Sequence, residues 1–149
     1  MWTLRSEDRL KEWKDFRQKI SDLSFEEALN ETVKLWGSAP FVIHYLDRIE
    51  LKDWPTPWEL LTDNKYDDLA KSLGMLYTLF LSDHGRQHTF SIIRVQENTE
   101  LEYYNLVEID SGKYILNYSF NEVTSYDHFK TDAILTNKYS SDDLKLYKY

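Results

Sequence analysis

The sequence contains no cysteine and few glycines, and these two absences exclude several kinds of chemistry. Without a thiol among its 149 residues, the chain can form no disulfide, no thiolate metal site and no cysteine nucleophile. Its four glycines, Gly37, Gly74, Gly85 and Gly112, are too far apart for a phosphate-binding loop or a dinucleotide fingerprint. The sequence therefore gives no support for thiol catalysis or for nucleotide binding.

Long apolar runs and a basic surface are also missing. No run approaches a membrane span, and the start, MWTLRSEDRLKEW, lacks the pattern of a signal peptide. The formal net charge of -8 argues against a broad phosphate-binding surface, because affinity for nucleic acid comes largely from clustered Lys and Arg. We therefore expect a soluble protein of the cytoplasm, or of a particle assembled there, that binds neither membrane nor nucleic acid.

Aromatic residues are abundant, at 15% of the chain, with five Trp and eleven Tyr. These two side chains combine a large apolar area with a polar group, so they are frequent at protein interfaces, and they also fill cores. A chain of this length buries roughly 70% of the surface that its unfolded form exposes. We therefore expect one domain spanning residues 1–149.

Periodicity and capping residues predict two N-terminal helices. Between residues 7 and 21, apolar side chains recur at intervals of three and four: Leu10, Trp13, Phe16 and Ile20. Ser24 followed by Glu27 is a capping box for a second helix, which ends at Gly37. The next segment, 38–52, fits either a short strand or an irregular turn.

A second capping box, at residues 56–59 with proline at the first helical position, predicts a short helix that Asp63 breaks. From Tyr66 to about Ser82, apolar side chains cover all but one narrow stripe. A helix with so little polar surface must be central to the fold.

The second half of the chain predicts an antiparallel sheet. Apolar and polar side chains alternate with a period of two along residues 89–95 and 101–109, and Ser111 with Gly112 then turns the chain into the partner segment 113–119. Helices followed by a meander predict an α+β fold. Residues 1–53 form its helical N-terminal part, and residues 54–149 form the core and tail.

The segment TPWELLTDNKYDDLAKSLGMLYTLFLSDHG places Asp68 two residues after Tyr66, and Ala70 two residues further, at the start of the apolar helix. It resembles the segment around the active-site cysteine of transglutaminase-like domains, which have the papain-like fold. The segments EYYNLVEID and GKYILNYS resemble the strands that carry the histidine and the aspartate of that family's triad. The resemblance covers residues 54–119 and implies a central buried helix packed on an antiparallel sheet.

The same resemblance implies that all three catalytic positions have changed. Tyr66 takes the position of the cysteine, Glu102 that of the histidine, and Asn117 or Tyr118 that of the aspartate. A helix N-terminus favours an anion by at most about 2 kcal/mol, roughly 1.5 pKa units, so a phenol with an ordinary pKa near 10 stays protonated at neutral pH. We therefore predict a degenerate domain in which the Tyr66 hydroxyl hydrogen-bonds to Glu102 or Asn117.

We expect this chain to be a non-catalytic binding or assembly module with a protein partner, and we expect no catalytic residue, metal or cofactor. The chain is also similar to small proteins of tailed bacteriophages, which implies a location in the host cytoplasm or the virion. The predicted binding residues around the former cleft are Tyr66, Asp67, Asp68, Glu102, Tyr104, Asn117, Tyr118, Trp54 and Trp58.

Two other interpretations concern ionisable side chains. The alternative function is a hydrolase or transferase that uses Glu102 with Asp67 or Asp68 as carboxylate catalysts. His84 and His88 could hold a metal ion if both lay on one helix face, but Gly85 separates them at a predicted turn. We therefore interpret these histidines as solvated turn residues.

Overall fold

The computed structural model describes residues 1–97, 103–128 and 133–149. In these residues four α-helices precede a five-stranded antiparallel sheet whose strand order is β4-β3-β2-β1-β5. The helices are α1 (Ser6–Ser21), α2 (Phe25–Gly37), α3 (Pro57–Asp63) and α4 (Asp68–Phe80). The strands are β1 (Phe90–Glu97), β2 (Tyr103–Ile109), β3 (Tyr114–Leu116), β4 (Val123–Thr124) and β5 (Ala133–Tyr139). The predicted α+β class is confirmed.

Helix α4 is the central element, as its apolar sequence predicts. It contacts α2 on one side and β2 of the sheet on the other, and every residue from Leu69 to Leu79 except Lys71 is buried. The helix-facing side of the sheet contributes residues such as Val107 and Ile109 to the larger core. Leu106 belongs to a smaller core on the opposite face, because successive side chains of a strand point to opposite sides.

The caps that the sequence predicts set the helix limits. The Ser24 hydroxyl accepts the Glu27 N–H at 3.2 Å and begins α2. Thr56 and Glu59 form a reciprocal capping box at the start of α3. This helix ends at Asn64, whose left-handed backbone (φ 52°) stops it one turn before α4.

Arg9 joins α1 to the end of α3. Its buried guanidinium donates through Nε to the Leu61 carbonyl at 2.7 Å, and through Nη2 to the Thr62 carbonyl at 3.2 Å. It also donates to the Leu4 carbonyl. The last carbonyls of a helix lack intrahelical donors, so this arginine supplies the hydrogen bonds that the end of α3 needs.

One hydroxyl ties three helices together. Trp13 of α1 and Trp36 of α2 each donate their indole N–H to Thr78 Oγ1 of α4 at 2.9 Å, and Thr78 donates to the Gly74 carbonyl at 2.7 Å. A hydroxyl offers one donor and two acceptor sites, so this group is fully used. All three side chains are completely buried.

Gly74 allows the Trp36 ring of α2 to come close enough to α4 to bond to Thr78. A Cβ atom at this position would lie 2.3 to 2.6 Å from three atoms of the Trp36 ring. Such distances are far below van der Waals contact, so any larger residue here would push α2 away from α4.

The structure defines two segments for which the sequence left more than one conformation open. Residues 38–52 contain two short 3-10 turns, and a single parallel bridge joins Phe41 to Tyr66. The last described strand is β5 (Ala133–Tyr139). The segment near residues 141–147, where the sequence fits a last strand or a short helix, forms turns at 141–145 and then a short 3-10 helix, Leu146–Lys148. Within the described ranges, no helix is both long and apolar enough to cross a membrane.

We expect Thr78→Val to destabilise the fold strongly. The valine keeps the shape but leaves two buried indole N–H groups unpaired, at about 1–3 kcal/mol each. Thr32→Val is the matched control, because Thr32 is equally buried and bonds only to its own helix, at the Ala28 carbonyl. Urea denaturation of both variants gives the comparison, and equal losses of stability would contradict the role assigned to Thr78.

Candidate functional site

Tyr66 lies ahead of α4 and is completely buried. Its ring packs edge-on against Trp36 and Trp2, with centroid distances of 5.1 and 5.3 Å. Its hydroxyl has no hydrogen-bond partner among the described residues, so the expected bond to Asn117 is wrong. Burial raises the pKa of this phenol, which therefore stays neutral. One residue, the N-cap Asp67, separates Tyr66 from the first residue of α4.

Asp67 is the N-cap of α4 rather than a cleft residue. Its Oδ1 accepts the Ala70 N–H at 2.8 Å, and its Oδ2 accepts the N–H groups of Tyr45 and Asp47 at 3.0 and 3.1 Å. The side chain is 2% exposed. This carboxylate thus fixes both the first turn of α4 and the segment that precedes α3.

Asp68, the first residue of α4, accepts hydrogen bonds from the sheet. Its Oδ2 accepts from the backbone N–H of Asn105 at 3.0 Å and from Asn105 Nδ2 at 3.3 Å. Its Oδ1 accepts from Asn117 Nδ2 at 3.1 Å. Burial raises the pKa of Asp68, although the bonds from both asparagines favour the ionised form.

Asn117 and Ser72 complete a cluster that links α4 to β2 and β3. Asn117 Nδ2 lies 2.9 Å from Ser72 Oγ, which donates to the Asn105 carbonyl at 2.6 Å. Asn117 has a left-handed backbone (φ 72°), which asparagine tolerates and which ends the regular alternation of β3. We call Asp68, Ser72, Asn105 and Asn117 the amide cluster.

The amide cluster contains one carboxyl, one hydroxyl and two amides. An amide is neither a useful base nor a nucleophile, and each of these side chains already has a partner within the cluster. Arg94 of β1 extends it by donating to Asn105 Oδ1 at 3.1 Å. In the part of the chain that the structure describes, no group of three or more acidic or histidine side chains could hold a metal ion.

The other predicted residues do not join this site. Tyr104 and Tyr118 pack together on the opposite face of the sheet, with ring centroids 5.2 Å apart. Trp54 and Trp58 contact the rings of C-terminal tyrosines. Glu102 lies outside the described residues.

The two turn histidines are not simply solvated, in contrast to the expectation. His88 Nδ1 lies 2.7 Å from Asp110 Oδ2, and its ring stacks on Phe25 with centroids 3.5 Å apart. His84 Nε2 lies 2.9 Å from the Ile20 carbonyl. Both side chains connect the end of α4 to α1 and α2, so their role is structural.

Four apolar side chains are strongly exposed, and we call them the apolar rim: Phe41, Ile43, Tyr103 and Phe120, which are 62%, 77%, 51% and 75% exposed. Lys71, one turn after Asp68, places its ammonium 5.7 Å from the centre of the Phe41 ring. It also lies 3.4 Å from the Gly37 carbonyl, and the Phe120 ring packs on Gly37. Phe41 thus lies beside Lys71, and Phe120 packs on the glycine whose carbonyl this lysine approaches.

Tyr103, another rim residue, lies on the sheet side. Arg94, which bonds to Asn105, places its guanidinium 5.5 Å from the centre of the Tyr103 ring. Sequence reasoning missed Asn105 and Arg94 as site residues. The alternation of side chains along β2 could have identified Asn105, because this residue lies on the same face of the strand as Val107 and Ile109, and that face meets α4.

The fold is similar to that of LapG from Legionella pneumophila. The calcium-bound structure aligns with a TM-score of 0.71 at 10% identity, covering 93% of this chain and 78% of LapG. A second LapG structure aligns at 0.70 with 11% identity, covering 91% and 76%, and the EGTA-treated form at 0.70 with 11%, covering 91% and 74%. No protein-family model matches the sequence, and a search of curated proteins also gives no match.

These alignments define the class of fold. The chain has a transglutaminase-like, papain-like core, in which α4 packs on the antiparallel sheet. The fold expected from residues 54–119 is therefore confirmed. At this level of identity the likeness concerns the fold alone.

We expect Asp68→Asn to change how stability depends on pH. Because burial raises the pKa of Asp68 above its unfolded value, its favourable contribution is complete below that unfolded value. It is lost as the pH rises through the folded pKa. The variant should therefore gain stability relative to the wild type as the pH increases from acid to neutral.

Urea denaturation at several pH values measures this difference. Asp15→Asn, on the exposed surface of α1, is the control for the loss of one carboxylate. A difference between wild type and Asp68→Asn that stays constant with pH would contradict the assigned environment of Asp68.

Proposed function

We propose that this chain is a non-catalytic binding module for a protein partner, encoded by a tailed bacteriophage. The observation that carries the proposal is the amide cluster, which occupies the start of the central helix where the resemblance implies a nucleophile. It offers amides bonded to one another and to Asp68. The chain has no thiol that could take this role.

The apolar rim supplies the contact surface of this proposal. Aromatic side chains that are exposed in the free protein and buried in a complex often dominate binding. Phe41 lies beside Lys71, and Phe120 packs on Gly37, whose carbonyl Lys71 approaches, so a partner that buries both rings can pair an acidic group with that ammonium. Burial lowers the pKa of Lys71, and Asp68 opposes this effect.

This surface replaces the one expected from Trp54 and Trp58. Trp58 is 45% exposed but packs against Tyr149 near the chain's C-terminal turns, and Trp54 packs against Tyr139 of β5. Neither tryptophan contacts the start of α4. The two surfaces can therefore be tested against each other.

A carboxylate hydrolase or transferase is the second candidate function, and the raised pKa of Asp68 is the observation that favours it. A carboxyl that keeps its proton can serve as a general acid. Asp67 is a poorer choice, since its two oxygens already accept three backbone N–H groups. A hydrolase or transferase function therefore requires Asp68 together with Glu102.

We expect the Phe41→Ser/Phe120→Ser variant to lose the partner that the wild-type chain retains from phage-infected cells or from virions. Quantitative mass spectrometry of the captured proteins identifies the candidate, and calorimetry with the purified candidate measures its affinity. The affinity should fall at least about tenfold, because truncating an aromatic anchor commonly costs more than 1 kcal/mol.

The Trp58→Ser/Tyr147→Ser variant is the matched control, since it removes two exposed aromatic side chains from another surface. If this control loses the partner while the rim variant keeps it, the binding surface is wrong. Incubating the purified partner with wild type, Asp68→Asn and Glu102→Gln then tests catalysis. New covalent products that either substitution abolishes would overturn the non-catalytic assignment and favour the second candidate.

A further inference from the structure

A second concave site lies toward the other end of α4. It has a volume of about 320 Å³, and the residues that line it include three lysines and three aromatic residues: Lys52, Lys145 and Lys148, with Trp54, Tyr77 and Tyr149. Tyr77 follows Asp68 by nine residues, or roughly 13 Å along a helix axis. This pocket is therefore separate from the amide cluster and its apolar rim.

The lysines of the pocket carry charge that the protein leaves available. No carboxylate among the described residues lies within ion-pairing distance of Lys145 or Lys148. Lys52 lies 3.4 Å from Glu50, but both side chains are more than 70% exposed, and such pairs contribute little. Lys145 and Lys148 thus have no ion-pairing carboxylate among the described residues, and Lys52 has only this exposed one, in a chain with a net charge of -8.

Two carboxylates near the pocket are already engaged. Asp143 lines it, and its Oδ2 accepts from the Ser140 N–H at 2.9 Å and from the Ser140 hydroxyl at 3.0 Å. Glu59 accepts the Thr56 N–H at 3.0 Å as part of the cap of α3. Both carboxylates thus stabilise backbone turns, and neither lies within ion-pairing distance of Lys145 or Lys148.

The backbone at Lys145 has a conformation that favours glycine. Lys145 adopts the left-handed conformation (φ 54°, ψ 40°) at the end of a helical turn. Its N–H bonds to the Asp142 carbonyl, and the Leu146 N–H bonds to the Ser141 carbonyl. Glycine is the usual residue at this position, because a side chain there raises the backbone energy. Lys145 is exposed, so what it adds over glycine is an ammonium group beside the pocket.

The aromatic side of the pocket is fixed before any ligand arrives. The Trp54 indole N–H donates to the Ile49 carbonyl at 3.0 Å, and the Tyr77 hydroxyl donates to the Pro55 carbonyl at 3.0 Å. Burial raises the pKa of Tyr77, and Tyr149 and Glu59 raise it further, so this phenol is neutral. Flat apolar surfaces next to cations suit a ligand with both features.

We propose that this pocket binds a small molecule consisting of a planar aromatic ring with an anionic substituent, the ring lying against Trp54 and Tyr149 and the anion near Lys145 and Lys148. The anion can be a carboxylate or a phosphate monoester, since an ammonium pairs with either. This site does not depend on the proposed protein-binding surface.

Protein-observed NMR titrations with four probes test the proposal. We expect 2-naphthoate or 2-naphthyl phosphate to shift the Trp54 indole N–H and the Lys145 amide at millimolar concentration, and the tighter of the two identifies the anion. The neutral alcohol 2-naphthalenemethanol and the ring-free anion acetate should each bind at least about tenfold more weakly. No shift at the pocket with either naphthyl anion, or equal binding of the neutral alcohol, would overturn the proposal.

Two substitutions at one position separate charge from backbone effects. Lys145→Gly should raise the thermal unfolding midpoint, because glycine adopts the left-handed conformation freely, and should weaken binding of the better naphthyl anion about tenfold. Lys145→Gln should weaken binding equally without raising the midpoint. Lys34→Gln, on the exposed face of α2, is the control and should bind normally. Unchanged affinity in Lys145→Gln would refute the site.

Discussion

The hydroxyl of Thr78 is the point on which the helical layer depends. Two tryptophan indoles from different helices donate to it, and it donates onward to the carbonyl of Gly74. A buried N–H without an acceptor is costly, so Trp13 and Trp36 fix the positions of α1 and α2 on α4. The same helix also packs on the sheet, and this geometry brings its first turn to β2 and β3.

The three consecutive residues at the start of α4 have different structural roles. Tyr66 packs among tryptophans, Asp67 caps the helix, and Asp68 bonds to the sheet. The sequence pattern put the former nucleophile at Tyr66 because the spacing to Ala70 matched the family. It could not locate the site more closely, because a spacing in the chain does not reveal which side chain in an irregular segment turns toward the sheet.

The parts of the fold governed by local rules were predictable. The caps at Ser24 and Thr56, the apolar surface of α4 and the alternation in β2 each determine structure within a few residues. Segment 38–52 was not predictable in this way, since its conformation depends on long-range hydrogen bonds to Tyr66 and Asp67. Asn117 itself has a left-handed backbone, and the periodicity of a strand does not reveal such a residue.

Those long-range bonds have an entropic consequence for the segment that carries Phe41 and Ile43. Backbone bonds from Val42 to Tyr66, and from Tyr66 to Pro40, hold its start, and the Asp67 carboxylate holds the backbone just beyond it. Ordering a free loop on association consumes part of the interaction free energy. Here the folding of the chain already orders this backbone, so the binding surface that we propose is organised before a partner arrives.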